Sequence, residues 1–482
     1  MCGIIFLVGP NAEPKLTCCL KKISHRGPDE TNFWTQAERA LGFARLAVNG
    51  QGIFGRQPYQ DGDWVGAVNG EIYNYQELIN KYNLFMFGEN DTQVLLPLFT
   101  KLGAEVLDVI DGFYAAVLYN KVTEDIVLLR DRLGKKPLFY GQSKNEYFIT
   151  SELKAIENID WFKQVPKGIT HLNLANWEVD HVVAHPSIFN TQTKDYDIQA
   201  KLCAAVKKRL PLTLPVGLFL SGGLDSSILA YIASNLREDI TYFTLGSPNS
   251  SDSLMVNKVI KALELKNVQH ISIPSGELLE RYIEKVVYIT ESYNPSIVSN
   301  GLATYLLAEA VKSLNIKVAI TGEGADELFG GYFTYLEPQE LLMSRERLLA
   351  DMNFTELRRL DLCTMAHGVE ARCPFLDSEI LKLSHNLRFE DIYFNGANKA
   401  ILRSTYQEKL PQAIINRPKV SFDVGSGIRE VVVSFLRRNG KSEREELRSM
   451  WTKYYFSRPQ DAYFDSYPAF DAAIDQRGAQ HR

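Results

Sequence analysis

The pattern of apolar and polar positions changes near the middle of the chain. Up to about residue 185, short apolar runs alternate with turns. Candidate strands lie at 3–8, 43–48, 64–69, 114–118, 126–129 and 147–150, and helical spacing at 75–81 and 92–102. This is an α+β pattern with much antiparallel sheet. From about 184 to 197 the chain is polar and rich in Thr, Asn, Gln and Asp, which predicts a linker. Beyond it, 198–210 is amphipathic, with Ile198, Leu202, Val206 and Leu210 on one stripe, and Pro211 and Pro215 end that helix. Strand-like runs at 216–220, 240–245, 268–273 and 317–321 then alternate with helical runs at 253–263, 278–289 and 303–314. Alternation of this kind predicts a parallel sheet covered by helices, with ligands at the carboxyl ends of its strands. The reading gives a first domain over 1–185, a linker over 186–197 and a second domain over 198–482.

Composition narrows the class. A chain of 482 residues with 45% hydrophobic and 23% charged residues is ordinary for a globular protein of two or three domains. The net charge of −5, without a basic run, excludes nucleic acid as the expected partner. No apolar run approaches the roughly 20 residues of a membrane span. The six cysteines show neither a CxxC pair nor zinc spacing, which fits a reducing cytoplasm rather than a disulfide framework.

The first candidate chemistry is the run Val216-Gly217-Leu218-Phe219-Leu220-Ser221-Gly222-Gly223-Leu224-Asp225-Ser226-Ser227. An apolar strand enters a Ser/Gly turn and a helix follows. Glycines let backbone N–H groups approach an anion, and the helix N-terminus favours it. Asp225 supplies an acid that can hold Mg²⁺ beside phosphate oxygens. The loop lacks the Lys-Ser/Thr of a Walker A motif and matches the SGGxDSS loop of ATP pyrophosphatases. A second acidic turn, Thr321-Gly322-Glu323-Gly324-Ala325-Asp326-Glu327, follows another strand. Three acids near phosphates call for a cation, so Asp225 and Asp326 are the candidate metal ligands.

The second candidate is at the N-terminus. Removal of Met1 would leave Cys2 with a free α-amine titrating near pH ~8, a base beside its own thiol. A lone Met-Cys start would mean only a buried strand residue. Cys2 is followed, however, by His25-Arg26-Gly27-Pro28-Asp29, Arg45-Leu46-Ala47-Val48-Asn49, Gln57-Pro58, Asn69-Gly70-Glu71, Asn90-Asp91, Arg130-Asp131-Arg132 and Ser151-Glu152.

This series resembles the class II glutamine amidotransferase domain, of the N-terminal-nucleophile type. With the loop at Ser221, the GEGADE turn, Gly368-Val369-Glu370-Ala371-Arg372 and Arg417-Pro418-Lys419, nearly the whole chain resembles the glutamine-hydrolysing asparagine synthetase family. The resemblance implies an αββα sandwich followed by an α/β ATP-pyrophosphatase-type domain. It implies that Cys2 attacks the glutamine carboxamide while Asn69 and Gly70 face the oxyanion. Arg45, Leu46, Ala47, Val48, Asn49, Glu71 and Asp91 would bind glutamine, with His25 structural. Phe219, Ser221, Gly222, Gly223, Leu224, Asp225, Ser226, Leu245, Thr321, Gly322 and Lys419 would bind ATP, and Glu323 would stand where ammonia attacks an acyl-adenylate. Mg²⁺ and a homodimer are implied by the same resemblance.

Three departures matter. Gln93 stands where the family commonly has an acid, and Ala47-Val48-Asn49 differs from the usual run. Ser299 stands where an arginine is usual for the acceptor carboxylate. That leaves Arg372 or Lys399 as stand-ins, or a different carboxylate as acceptor. Glu323 argues against a lactam-forming relative, and the intact nucleophile and acids argue against a catalytically dead binding protein.

Overall fold

The computed structural model describes residues 2–455 and 461–465, apart from Gln51, Phe87, Glu89, 175–176, 186–196 and 333–337. Met1 and, but for Asp197, the predicted linker lie outside the described residues. The chain divides into two units. The first is Met1–Pro186 with Met365–Gly368 and Tyr454–Phe464; the second is Ser187–Thr364, Val369–Lys453 and Asp465–Arg482. The pattern reading had assigned the short stretches 365–368 and 454–464 to the second domain.

The first unit is built on twelve described strands: β1 (Gly3–Val8), β2 (Glu30–Gln36), β3 (Arg39–Arg45), β4 (Tyr59–Asp61), β5 (Trp64–Ile72), β6 (Gly112–Asn120), β7 (Ile126–Arg130), β8 (Phe139–Ser143), β9 (Glu146–Thr150), β10 (Ile159–Gln164), β11 (Gly168–Leu172) and β12 (Val179–Val183). They form two six-stranded sheets, ordered β10-β8-β9-β1-β3-β2 and β12-β11-β7-β6-β5-β4. Their pairings are antiparallel. Alternation along the strands assigns each face. Ile4 and Phe6 of β1 pack with Val65 and Ala67 of β5 and Val117 of β6 in the core between the sheets.

The intervening residues face outward. Val68, Ala116 and Leu118 pack under helices α2 (Tyr75–Tyr82) and α3 (Leu95–Leu102) through Leu78, Leu95 and Leu98. On the other side, α1 (Ala12–Lys22) buries Leu16 and Leu20 against β3, where a Cβ at Gly42 would stand 2.6 Å from Leu20 Cδ1. Helix, sheet, sheet, helix is the αββα order that the resemblance implies.

The second unit holds a five-stranded parallel sheet of β13 (Val216–Phe219), β14 (Ile240–Leu245), β15 (Val268–Ile271), β16 (Val318–Ile320) and β17 (Glu370–Arg372), ordered β15-β14-β13-β16-β17. Helix α4 (Ile198–Arg209) precedes it; α5 (Leu224–Leu236), α6 (Ser251–Leu263), α7 (Gly276–Thr290) and α8 (Pro295–Ser313) connect the strands. Asn294 caps α8 by accepting from Ser296 N and Ile297 N, with Pro295 in the first turn. β13 pairs with β14 on one side and with β16 on the other, Val216 opposite Val318 and Leu218 opposite Ile320. Strand order therefore reverses at β13, and the loops leaving β13 and β16 open side by side at the carboxyl edge. Such a switch point is where open parallel sheets bind ligands.

Candidate active sites

In the first unit, β1 and β5 bring Cys2 to Asn69. Cys2 is 8% exposed and its N donates to Asn69 Oδ1 at 2.8 Å. That bond fixes the amide orientation and leaves Asn69 Nδ2 buried, with no hydrogen-bond partner among the described residues. A donor kept dry and unsatisfied beside a thiol is suited to an oxyanion that forms only during reaction. Gly70 follows where a Cβ would overlap Phe113 O and lie 2.7 Å from Tyr114 Cα, so only glycine admits this approach of β5 to β6.

Cys2 is held from the other side by a charged cluster. Arg26 Nε donates to Cys2 O at 2.9 Å, and Arg26 Nη1 to Glu152 Oε1 at 2.6 Å. His25 Nε2 lies 3.0 Å from Glu152 Oε2, and Lys154 Nζ lies 2.6 Å from the same oxygen. Burial alone would raise the Glu152 carboxyl; Lys154, His25 and Arg26 outweigh it and hold the group well below the usual range. The sequence reading left Arg26 and Glu152 without roles. Their signal was two charged residues inside motifs, but only folding makes them partners.

The other proposed glutamine contacts lie close by. Leu46 O is 4.0 Å from Cys2 Sγ. Ala47 N donates to Asp29 Oδ2 at 2.7 Å, Asn49 Nδ2 to Glu71 Oε1 at 2.6 Å, and Asp91 Oδ2 accepts from Ile72 N at 2.8 Å. Val48 is half-buried and packs with Leu46. Arg45 is buried, with Nη1 on Glu30 at 3.1 Å and on Gly52 O at 2.9 Å, and Nη2 on Gly50 O. Its guanidinium is thus spent on the 50–52 loop in this structure, where the reading had it holding a carboxylate.

In the second unit, a cavity of roughly 470 Å³ opens at the β13–β16 switch point. Of the residues predicted for ATP, Phe219, Ser221, Asp225, Ser226, Thr321, Gly322 and Lys419 line it, as do Glu323 and Asp326. Gly222, Gly223, Leu224 and Leu245 do not. The loop braces itself: Ser221 N donates to Ser226 Oγ at 3.2 Å, Ser227 Oγ to Gly223 O at 2.7 Å, and Arg417 Nη1 to Ser221 O at 3.3 Å. Gly222 has φ +67°, and a Cβ there would stand 2.7 Å from Val256 N.

Asp225 and Asp326 meet across the switch point. Asp225 Oδ1 is buried without a hydrogen-bond partner among the described residues. Lys399 Nζ lies 2.6 Å from Asp225 Oδ2 and 2.6 Å from Asp326 Oδ1, and Lys419 pairs with Asp326 Oδ2. Burial raises the Asp225 carboxyl, whereas Lys399 and Lys419 overcome burial at Asp326 and hold it low. Two hard carboxylates, one with an unsatisfied oxygen, are a donor set that fits Mg²⁺ shared with phosphates. Glu327 is pushed up to about 8 by burial, Glu356 and Asp326, and accepts from Tyr332 Oη at 2.9 Å.

Glu323 accepts from Thr321 Oγ1 at 2.9 Å and from Arg359 Nη2 at 2.8 Å. The two stand-ins for the missing arginine are otherwise engaged. Arg372 is buried on Glu370 at 2.6 Å and on Arg209 O at 2.9 Å, and does not line the cavity; Lys399 serves the two aspartates. Arg359 carried no motif signal; Arg417 lies inside the Arg417-Pro418-Lys419 motif but had no role assigned.

An N-terminal-nucleophile sandwich with a buried cysteine, followed by a parallel-sheet unit with a pyrophosphate-type loop, defines an ATP-dependent amidotransferase. Comparison with known proteins agrees. Residues 1–196 match the glutamine amidotransferase domain family, and residues 197–350 and 346–469 match the asparagine synthase family. A probable glutamine-hydrolysing asparagine synthetase of Acanthamoeba polyphaga mimivirus is 30% identical over 89% of this chain and 86% of its own length. A probable glutamine-hydrolysing asparagine synthetase of Schizosaccharomyces pombe is 31% identical over 89% and 85%. Asparagine synthetase B of Escherichia coli is 32% identical over 84% and 77%. The chain belongs to the glutamine-hydrolysing asparagine synthetase family.

Proposed function

We propose that the protein is a glutamine-dependent asparagine synthetase. It hydrolyses glutamine to glutamate and ammonia, adenylates aspartate with ATP, and amidates the acyl-adenylate with release of AMP. The observation that carries the reading is the coexistence in one chain of the Cys2–Asn69 pair and the Asp225–Asp326 pair on a Ser/Gly loop. Family membership over most of the chain supports it.

In this reading the Cys2 thiolate attacks the glutamine carboxamide, and Asn69 Nδ2 and Gly70 N steady the oxyanion. Glu71 and Asp91 read the α-ammonium, and Arg45 turns from the 50–52 loop to the α-carboxylate. Ser221, Gly222, Gly223 and Ser226 cradle pyrophosphate, and Lys419 offsets its charge. Asp225 and Asp326 would hold Mg²⁺, which neutralises phosphate charge when bound. Glu323 stands beside the acyl carbon and takes the proton that ammonia loses. Free thiols at all six cysteines suit a reducing compartment, and a homodimer of the kind common in the family completes the proposal.

Transfer of ¹⁵N from amide-labelled glutamine to aspartate, with one AMP and one pyrophosphate per asparagine, is the expected result. Release of ADP and phosphate, or labelling of another acid and not of aspartate, overturns it.

A further inference from the structure

Ser299 sits in α8 with its side chain turned out of the cavity. It is fully buried, and its hydroxyl donates to Asp423 Oδ2 at 3.0 Å. The cavity face of α8 is instead Ser296, Asn300, Thr304 and Leu307, one helical stripe without charge. The remaining wall is acidic: Glu323, Asp326, Glu327, Glu356 and Asp423 all line it. The helix Glu356–Met365 contributes Arg359, which with Lys419 makes up the cations lining the cavity among the described residues. Lys419 is committed to Asp326.

An amino-dicarboxylate acceptor brings a second carboxylate besides the one to be activated. Among those acids it meets like charge, which in a partly screened site repels it. Arg359 offers the counterweight. Its guanidinium is 10% exposed and preset by Nη1 on Thr304 Oγ1 at 2.8 Å and by Nη2 on Glu323 Oε1 at 2.8 Å. Nη2 already carries one carboxylate oxygen, Glu323 Oε1, so an acceptor carboxylate shares that nitrogen with Glu323 or displaces it. A planar guanidinium matches a carboxylate in a way that a lone ammonium does not.

We propose that Arg359 is the specificity-determining residue for the acceptor: it holds the carboxylate that is not activated, the task left vacant by Ser299. The proposal rests on the function proposed above.

The test is ATP–pyrophosphate exchange, which reads acyl-adenylate formation before ammonia takes part. It is run with aspartate and with 3-aminopropanoate, which is aspartate without its α-carboxylate. In the wild-type enzyme aspartate is strongly preferred. Arg359→Met is expected to lower kcat/KM for aspartate by about 10²-fold, mostly through KM, while 3-aminopropanoate changes less than about threefold, so the preference collapses. Arg359→Lys, which keeps charge and bulk, covers the case in which the methionine variant does not fold; it is expected to raise KM for aspartate about tenfold and to leave 3-aminopropanoate unchanged. Equal losses with both acids mean that Arg359 acts only through Glu323 or the fold, and overturn the proposal, as does an intact preference. Exchange with neither acid in the wild-type enzyme overturns the proposed function itself.

Discussion

Asp225 and Asp326 share one ammonium: Lys399 Nζ lies 2.6 Å from a carboxylate oxygen of each. Two buried carboxylates from the first turns of two different helices stay together because a buried cation stands between them. Lys399→Met removes that cation and leaves their mutual repulsion. The variant is expected to lose roughly 3–5 kcal/mol of stability in denaturant unfolding. ATP–pyrophosphate exchange should fall with it, whereas glutaminase turnover should persist.

The same pair explains a glycine. A Cβ at Gly331 would overlap Asp326 Oδ1 and stand 2.5 Å from Lys399 Cε. Gly331→Ala is therefore expected to cost about 1–3 kcal/mol. Exchange should weaken, with a higher Mg²⁺ requirement in titrations of exchange rate. An unaltered Mg²⁺ titration would refute this account of Gly331.

Asn69 Nδ2 is buried with no hydrogen-bond partner among the described residues, and the proposed mechanism gives it the oxyanion. Asn69→Ala should slow glutamine hydrolysis by about 10²–10³-fold. Cys2→Ala should abolish it. Both variants should keep asparagine formation from added ammonium. Steady-state rates with the two nitrogen sources check this, and equal loss with both would count against two separate centres.

Glu152 makes the first unit acid-sensitive. Its folded carboxyl titrates well below 4.5, its value without partners. The ionised cluster thus contributes stability fully above that pH, and the contribution is lost as pH falls through 4.5 toward the folded value. Glu152→Gln is expected to destabilise the unit by about 3 kcal/mol at pH 7 and to flatten the fall in midpoint between pH 5 and pH 3. Denaturant midpoints across that range give the comparison.

Much of this was legible in the chain. The unbroken apolar run of Gly3–Val8 and the run at 64–69 announced β1 and β5, and the Ser/Gly turn announced the loop after β13. Six strands of the first unit escaped, among them the four sheet edges β2, β4, β10 and β12, and so did helix α1. Glu30–Gln36 is a half-exposed edge strand whose residues lack an apolar face strong enough to read. Ala12–Lys22 is a helix whose two buried leucines are diluted by lysine, cysteine and Pro14. The helix predicted from 303 begins at Pro295, and the Asn294–Pro295 cap was the unread sign. Buried cations were the least legible class. Sequence alone leaves Arg26 without a role, offers Lys399 only as a partner for the acceptor carboxylate and does not single out Arg359; folding supplies Glu152, the aspartate pair and Glu323.

The crossing at β13 and β16 has a bearing on how the molecule is assembled. The cavity at the switch point is closed by strands with two other strands and several helices of sequence between them, so it depends on a non-local pairing. The hairpins β6–β7 and β8–β9, by contrast, join near neighbours. During vectorial synthesis the ammonia-making half can acquire its hairpins while the second half still has no place for ATP.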